Sequence, residues 1–327
     1  MSVREKLRGQ WRPEVGRRLE QALDRIEGRG KGLAVFDFDN TCIIGDIGEL
    51  FGQHLVEVMG YRFDLPKFWD LIHVDDGRQQ LRELTEQALD LPADQREGHP
   101  TYRAYLGEMA ALYGRRLARA GARDCYAWAV RLHVGLSPAQ MSDWSAAAIR
   151  SELQRQMELQ RFIGLDGRTA KVARGVRILS EIRDLIAALH RAGAQVWIVS
   201  ATNRWTVQQF APLVGVSPRR VLGNEVHVEE GRLTDRTREP ALYREGKTAV
   251  IAREIGTIPD LVVGDAMTDF EMLAQAREIS LLIDRGQEKL RREAQQRGWA
   301  VQPQEELTPL GADAIDLDLL NIAEDES

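Results

Sequence analysis

The sequence predicts an α/β fold, a doubly wound parallel sheet with a mainly helical insert after its first core strand. Three observations predict it. Short, continuous apolar runs stand at Leu33–Phe36, Val196–Val199, Leu261–Gly264 and Ile279–Ile283, the pattern of strands buried on both faces. From Gly167 onward these runs alternate with helical periodicity. Between about Gly45 and Leu165, helical stripes dominate and strand signals are scarce.

Taken in order, the first thirty residues read as an exposed helix, with Leu19, Leu23 and Ile26 at helical spacing. The run LAVF, between Gly32 and Asp37, is the first buried strand. The insert carries the stripes Leu50, Phe51, His54, Leu55, Val58 and later Met109, Leu112, Tyr113, Arg116. It also holds most tyrosines, with Trp69, Trp128 and Trp144. After it, Ile178, Leu179, Ile182, Leu185, Ile186 and Leu189 mark one helix face that Gly193 ends, and VWIV follows as a strand. Glu225–Thr234 alternates around Glu230-Gly231 as a β-hairpin. A helix from Lys247, the strand LVVG, a further helix and the strand ISLLI complete the pattern. The expected organisation is a core of residues 1–44 and 166–303, a helical insert of 45–165, and an acidic, flexible tail of 304–327.

Bulk properties limit the function. The 327 residues are 43% hydrophobic and 29% charged, with a formal net charge of -6, as expected of a globular enzyme with a real core. That charge argues against nucleic-acid partners and against an anionic membrane surface. No run is long enough to span a bilayer, and the basic N-terminal stretch lacks the apolar region of a secretory signal. Cys42 and Cys125 make neither a metal cluster nor a disulfide framework. The expectation is a cytoplasmic protein; its oligomeric state is not legible.

Open parallel sheets place their sites at the carboxyl ends of the strands, and polar residues collect there. VFDFDNT puts Asp37 and Asp39 after LAVF, two residues apart and so on one side of an extended chain. VSATN puts Ser200 after VWIV, ahead of a helix start whose N–H groups can hold phosphate. Lys247 opens a helix, and GDAMTDF places Asp265 and Asp269 after LVVG. Carboxylates from separate strands make the hard oxygen site that Mg²⁺ favours, and the cation offsets their mutual repulsion.

In this order DxDxT, a strand ending in serine, a lysine and GDxxxD resemble the four motifs of the haloacid dehalogenase superfamily. The resemblance covers residues 31–44 and 170–285, with a helical cap in the expected place on a Rossmann-like core. It implies that Asp37 is a nucleophile phosphorylated in turn, and that Asp39 is the acid and then the base. It implies a Mg²⁺ ligated by Asp37, Asp265 and the backbone carbonyl of Asp39. Ser200 and Lys247 would hold phosphoryl oxygens, and Asp269 would orient the lysine and the metal's waters. An acid two residues after the nucleophile points to phosphomonoester or mutase chemistry, because a halide leaves without a proton.

The position of the insert, the Glu225–Thr234 hairpin and GDAMTDFEML resemble the phosphoserine phosphatase-like branch, and GDIGE resembles the corresponding stretch of phosphorylcholine phosphatases. On that resemblance Asp46 and Glu49 would hold a cationic head group, with aromatic residues of the cap and Trp205 offering cation–π contact. Thr41 and Asn203 are further candidates for substrate contact. For phosphoserine, an arginine such as Arg78 or Arg82 would meet the carboxylate. The expected partner is a small phosphorylated metabolite, phosphocholine-like or phosphoserine; phosphotransfer on the same scaffold is the alternative, and a non-enzymatic binding protein is disfavoured by the complete motif set.

Overall fold

The computed structural model describes residues 7–165, 167 and 169–324. They fall into two compact units. One takes in the chain up to Asp46, Val176–Gly223 and the chain from Pro240; the other is Ile47–Gly175 with Asn224–Glu239.

The first unit is built on six strands: β1 (Gly32–Phe36), β2 (Ala194–Asn203), β3 (Val221–Asn224), β4 (Leu261–Gly264), β5 (Ile279–Asp284) and β6 (Ala300–Pro303). Their spatial order is β6-β5-β4-β1-β2-β3. The pairings of β1 with β2 and β4, of β4 with β5 and of β5 with β6 are all parallel. Parallel neighbours need crossovers, and helices supply them on both faces. On one face Leu33, Val35, Val199 and Val262 pack with Val250, Ile251, Met272 and Leu273 of the helices 245–254 and 270–273. On the opposite face, alternation turns Gly32 towards Ile26 of the helix Pro13–Arg29, which leaves no room for a side chain at residue 32.

The N-terminal helix is therefore not the exposed one expected. Val15, Leu19, Ala22 and Ile26 form a buried stripe, while its arginines face solvent or pair with acids, as Arg25 does with Glu278. Ile178 and Leu179 also depart from expectation. They belong to a short strand, Arg177–Leu179, which pairs antiparallel with Ile43–Ile44 on one side and Pro309–Leu310 on the other. The expected flexible tail is corrected by the same pairing. Thr308 N–H donates to the buried Glu181, Gln209 donates to the Leu320 carbonyl, and Leu307 and Leu320 are buried. Acidic composition concealed a segment held by backbone pairing and a few leucines.

The second unit is mainly helical, with helices Ile47–Glu57, Arg78–Leu89, Pro100–Arg131 and Pro138–Gln154. The long helix kinks at Gly121, where φ is 78°. Two hairpins complete the unit, 158–174 and 226–237; the second turns at Glu230 and Gly231, both at positive φ. The sequence predicts an insert ending at 165; the compact unit runs beyond that residue and takes in the hairpin 226–237. Tyr61, Tyr105, Trp69 and Trp128 are buried in its interior. His133 lies there too, stacked on Tyr61 at 6.1 Å between ring centroids and 5.2 Å from Phe51. A pair of acids, Glu57 and Glu152, closes on the buried Arg174. No helix of the described residues is long and apolar enough to cross a membrane.

Candidate active site

Register brings the polar residues of the first unit to one sheet edge. Phe36 pairs with Val263 on one side and Ile198 on the other. Asp37 directly follows Phe36, and Asp265 and Ser200 stand two residues beyond Val263 and Ile198, so all three lie towards the same end of adjacent strands. Asp37 is fixed there by its own N–H, which donates to the Val263 carbonyl at 2.9 Å.

The two oxygens of Asp37 have different neighbours. Oδ1 accepts from Lys247 Nζ at 2.5 Å, and Oδ2 lies 3.1 Å from Thr41 Oγ1. The same Thr41 hydroxyl lies 3.3 Å from Asp265 Oδ1. Lys247, the third residue of its helix, also donates to Asp269 Oδ1 at 2.6 Å. Asp269 Oδ2 in turn accepts the N–H groups of Asp265 and Ala266, so Asp269 pins the lysine and the loop after β4 together. Gly264 makes this possible: a Cβ there would stand 2.7 Å from that of Asp269.

Asp39 is held from the neighbouring strand. Its Oδ2 accepts from Thr202 Oγ1 at 2.8 Å and lies 3.3 Å from Ser200 Oγ. Ser200 accepts the Thr202 N–H at 3.0 Å, leaving its own proton for Asp39. β2 runs on past Ser200 to Asn203, and the helix start expected beyond Ser200 comes at Arg204, in the helix Arg204–Phe210. Asn203 Oδ1 caps that helix through the Thr206 N–H. Asn203 is buried in this capping position, and Thr41 is wholly buried between two carboxylates.

The electrostatics are those of a crowded acid cluster. Burial first, and the Asp269 charge second, push the Asp37 carboxyl up to about 6 even though Lys247 opposes them. Burial, with the charges of Asp37 and Asp269, drives Asp265 well above the usual carboxylate range, and Arg285 opposes the rise. Burial would lower Lys247, but the two carboxylates outweigh it and hold the ammonium firmly charged. Asp37, Asp265 and Asp269 each offer an oxygen within 4.8 Å of the others, all three buried. Asp269 has both oxygens engaged by donors, whereas Asp37 Oδ2 and Asp265 Oδ1 face one another across a single hydroxyl. Two hard oxygens that meet no cation among the described residues, on carboxylates whose other oxygens do, fit a divalent cation such as Mg²⁺.

Two residues of this cluster escaped the sequence reading. Thr202 sits two after Ser200 on the same strand, so period-2 alternation was a usable signal. Arg285 follows β5 and donates to Asp265 Oδ2 at 2.9 Å; no motif marks it. Of the residues assigned to a substrate head group, Asp46 is half-buried in the first unit and Glu49 is exposed in the first turn of the helix Ile47–Glu57. Within the second unit the charges of Glu49 and Arg116 are both felt at Cys125. Arg78 is engaged by the Ile72 carbonyl, and Arg82 by Glu86, with its guanidinium over the Trp69 ring.

Known proteins give this geometry a context. No curated protein matches the chain. A conserved protein of unknown function from Anaerococcus prevotii DSM 20548 has a similar structure, with a TM-score of 0.79 and 21% identity over 90% of this chain and 92% of that one. A protein of unknown function from Bordetella pertussis Tohama I gives 0.54 and 17%, over 84% and 98%. These establish a shared fold. The haloacid dehalogenase-like hydrolase family matches residues 106–274, more than half of the chain, from the long helix of the second unit through Ser200, Lys247, Asp265 and Asp269. By that match the chain belongs to the haloacid dehalogenase-like hydrolases.

Proposed function

We propose that the protein is a Mg²⁺-dependent phosphomonoester hydrolase that works through an aspartyl-phosphate on Asp37. The observation that carries this reading is the division of labour on Asp37, with Oδ1 against Lys247 and Oδ2 facing Asp265. Asp37, Asp265 and the backbone carbonyl of Asp39 would hold the metal. When bound, it supplies charge neutralisation for the carboxylates and for the incoming phosphate.

Asp37 Oδ1 attacks phosphorus, and the bond from phosphorus to the ester oxygen breaks. Asp39, entering protonated, gives its proton to that oxygen, so the leaving group departs as an alcohol. Asp39, now a carboxylate, takes a proton from water as the water oxygen attacks phosphorus. The Asp37–phosphorus bond breaks and inorganic phosphate is released. Lys247 keeps Asp37 ionised and neutralises a phosphoryl oxygen; Ser200 and Thr202 hold Asp39 in place.

The substrate we assign is a small phosphorylated metabolite with an amine-bearing head, phosphocholine-like, read by Asp46 and Glu49. Phosphoserine is the nearest alternative. Phosphate release from a panel of monoesters, with Mg²⁺ and with chelator, tests the class. Metal-independent turnover, or turnover retained by Asp37→Asn, overturns it. Adding an alcohol acceptor separates hydrolysis from phosphotransfer. Asp46→Asn and Glu49→Gln should raise KM for phosphocholine about tenfold or more and spare neutral esters.

A further inference from the structure

Arg285 has no part in the steps above. It stands just past the carboxyl end of β5, next to the loop that carries Asp265. Its Nη1 donates to Asp265 Oδ2 at 2.9 Å, while Oδ1 of the same carboxylate is the oxygen facing Thr41 and Asp37. Four carboxylates (Asp37, Asp39, Asp265, Asp269) share this strand edge with two cations, Lys247 and Arg285. Lys247 serves Asp37 and Asp269, which leaves Arg285 as the cation on Asp265.

The arginine is itself anchored. The preceding residue, Asp284, is buried; its Oδ1 accepts the Gly286 N–H at 2.9 Å and its Oδ2 accepts from Arg291. Gly286 takes a φ of 84°, the left-handed turn that lets the chain leave β5 sharply. The segment 284–286 is thus tied on both sides of Arg285.

We propose that Arg285 is a positioning residue for the metal: by holding Oδ2 of Asp265 it keeps Oδ1 turned towards Asp37 Oδ2, and so sets the affinity for Mg²⁺. The inference rests on the metal-dependent reading above. Two effects of the guanidinium oppose each other. Its charge repels a cation, but the side chain is 38% exposed, so water and salt screen that repulsion. Its hold on Asp265 is a direct hydrogen bond that screening does not remove. Repulsion from Asp37 and Asp269 would otherwise swing a lone buried carboxylate away from them. Orientation therefore wins, and groups that orient a metal ligand commonly govern affinity by about 10- to 100-fold.

Calorimetric titration of MgCl₂ into metal-free protein tests this, comparing wild type with R285Q and R285K. The expected result is a Kd for Mg²⁺ raised about tenfold or more in R285Q, and by an intermediate factor in R285K, which keeps the charge but loses the planar fork. The melting temperature in chelator should fall, but by less than in Lys247→Met, because one buried carboxylate rather than two loses its cation and the guanidinium is 38% exposed. At saturating Mg²⁺, kcat should recover and KM for the ester should be unchanged, a pattern that general loss of structure does not produce. Unchanged or tighter Mg²⁺ binding by R285Q overturns the inference. If R285Q does not fold, unchanged affinity in R285K overturns it instead. A wild-type protein that binds no Mg²⁺ overturns the metal-dependent function and this inference with it, whereas wild-type binding with R285Q unaffected sinks the inference alone.

Discussion

Lys247 Nζ lies 2.5 Å from Asp37 Oδ1, and both side chains are buried. The two residues are 210 positions apart in the chain, one after the central strand and the other in the helix that follows β3. This contact sorts the oxygens of Asp37 and makes the pair the electrostatic centre of the first unit.

Lys247→Met should destabilise the protein by about 3–5 kcal/mol, because it strands two buried carboxylates without their cation. Urea unfolding reads the loss. In the Asp37→Asn background the same substitution should cost less than it does in wild type, since one of the stranded charges is gone. Strict additivity would mean that the contact carries no coupling.

The raised Asp37 carboxyl gives a pH dependence with a definite sign. Below about pH 4 the group is protonated in folded and unfolded chains alike. Between there and about 6 the folded protein keeps a proton that the unfolded chain releases, so stability falls as pH rises through this window. The shift corresponds to about 3 kcal/mol. Metal-free Asp37→Asn, which mimics the protonated form, should be more stable than wild type at pH 7.5 by about 1–3 kcal/mol. The gap should close near pH 4. Denaturant midpoints in chelator at the two pH values check it, and a variant weaker than wild type at pH 7.5 contradicts it.

Thr202→Val removes the closer of the two hydroxyls on Asp39 Oδ2. A hydrogen bond to a charged group is worth about 1.5–3 kcal/mol, so kcat on alkyl phosphates should fall about tenfold or more. The loss on p-nitrophenyl phosphate should be much smaller, because that leaving group departs without a proton. Equal losses on both would remove Thr202 from the support of the acid.

His133 supplies an acid limb in the second unit. Burial pushes its imidazole down to about 4, and its Nδ1 has no hydrogen-bond partner among the described residues. A base depressed on folding gives stability that is full above about pH 6.5 and is lost as pH falls towards 4, here about 3 kcal/mol. His133→Phe, which keeps a ring between Tyr61 and Phe51, should flatten unfolding midpoints across that range. A variant with the wild-type pH profile would place the acid sensitivity elsewhere.

Much of this arrangement is legible in the sequence. Asp37 and Asp265 stand out because a carboxylate directly after a continuous apolar run has to emerge at a strand end, and Asp39 because it stands two residues beyond Asp37. The strands themselves read cleanly for the same reason. Other assignments failed where a local signal has two meanings. Ile178 and Leu179 fit a helical stripe and lie in a strand. The acidic end fits a solvated tail, yet pairs through its backbone, which composition does not reveal.

The choice of partners is a different matter. Which oxygen of Asp37 meets Lys247, which hydroxyls reach Asp39, and whether an arginine stands behind Asp265 all depend on the register of parallel strands whose residues are far apart in the chain. Hydrophobic periodicity is a property of neighbouring residues, and it places a strand and its ends. Register is set by how buried faces of distant segments fit together. The aspartates could therefore be named from the chain alone, while Thr202 and Arg285 acquire meaning only once β1, β2, β4 and β5 lie side by side.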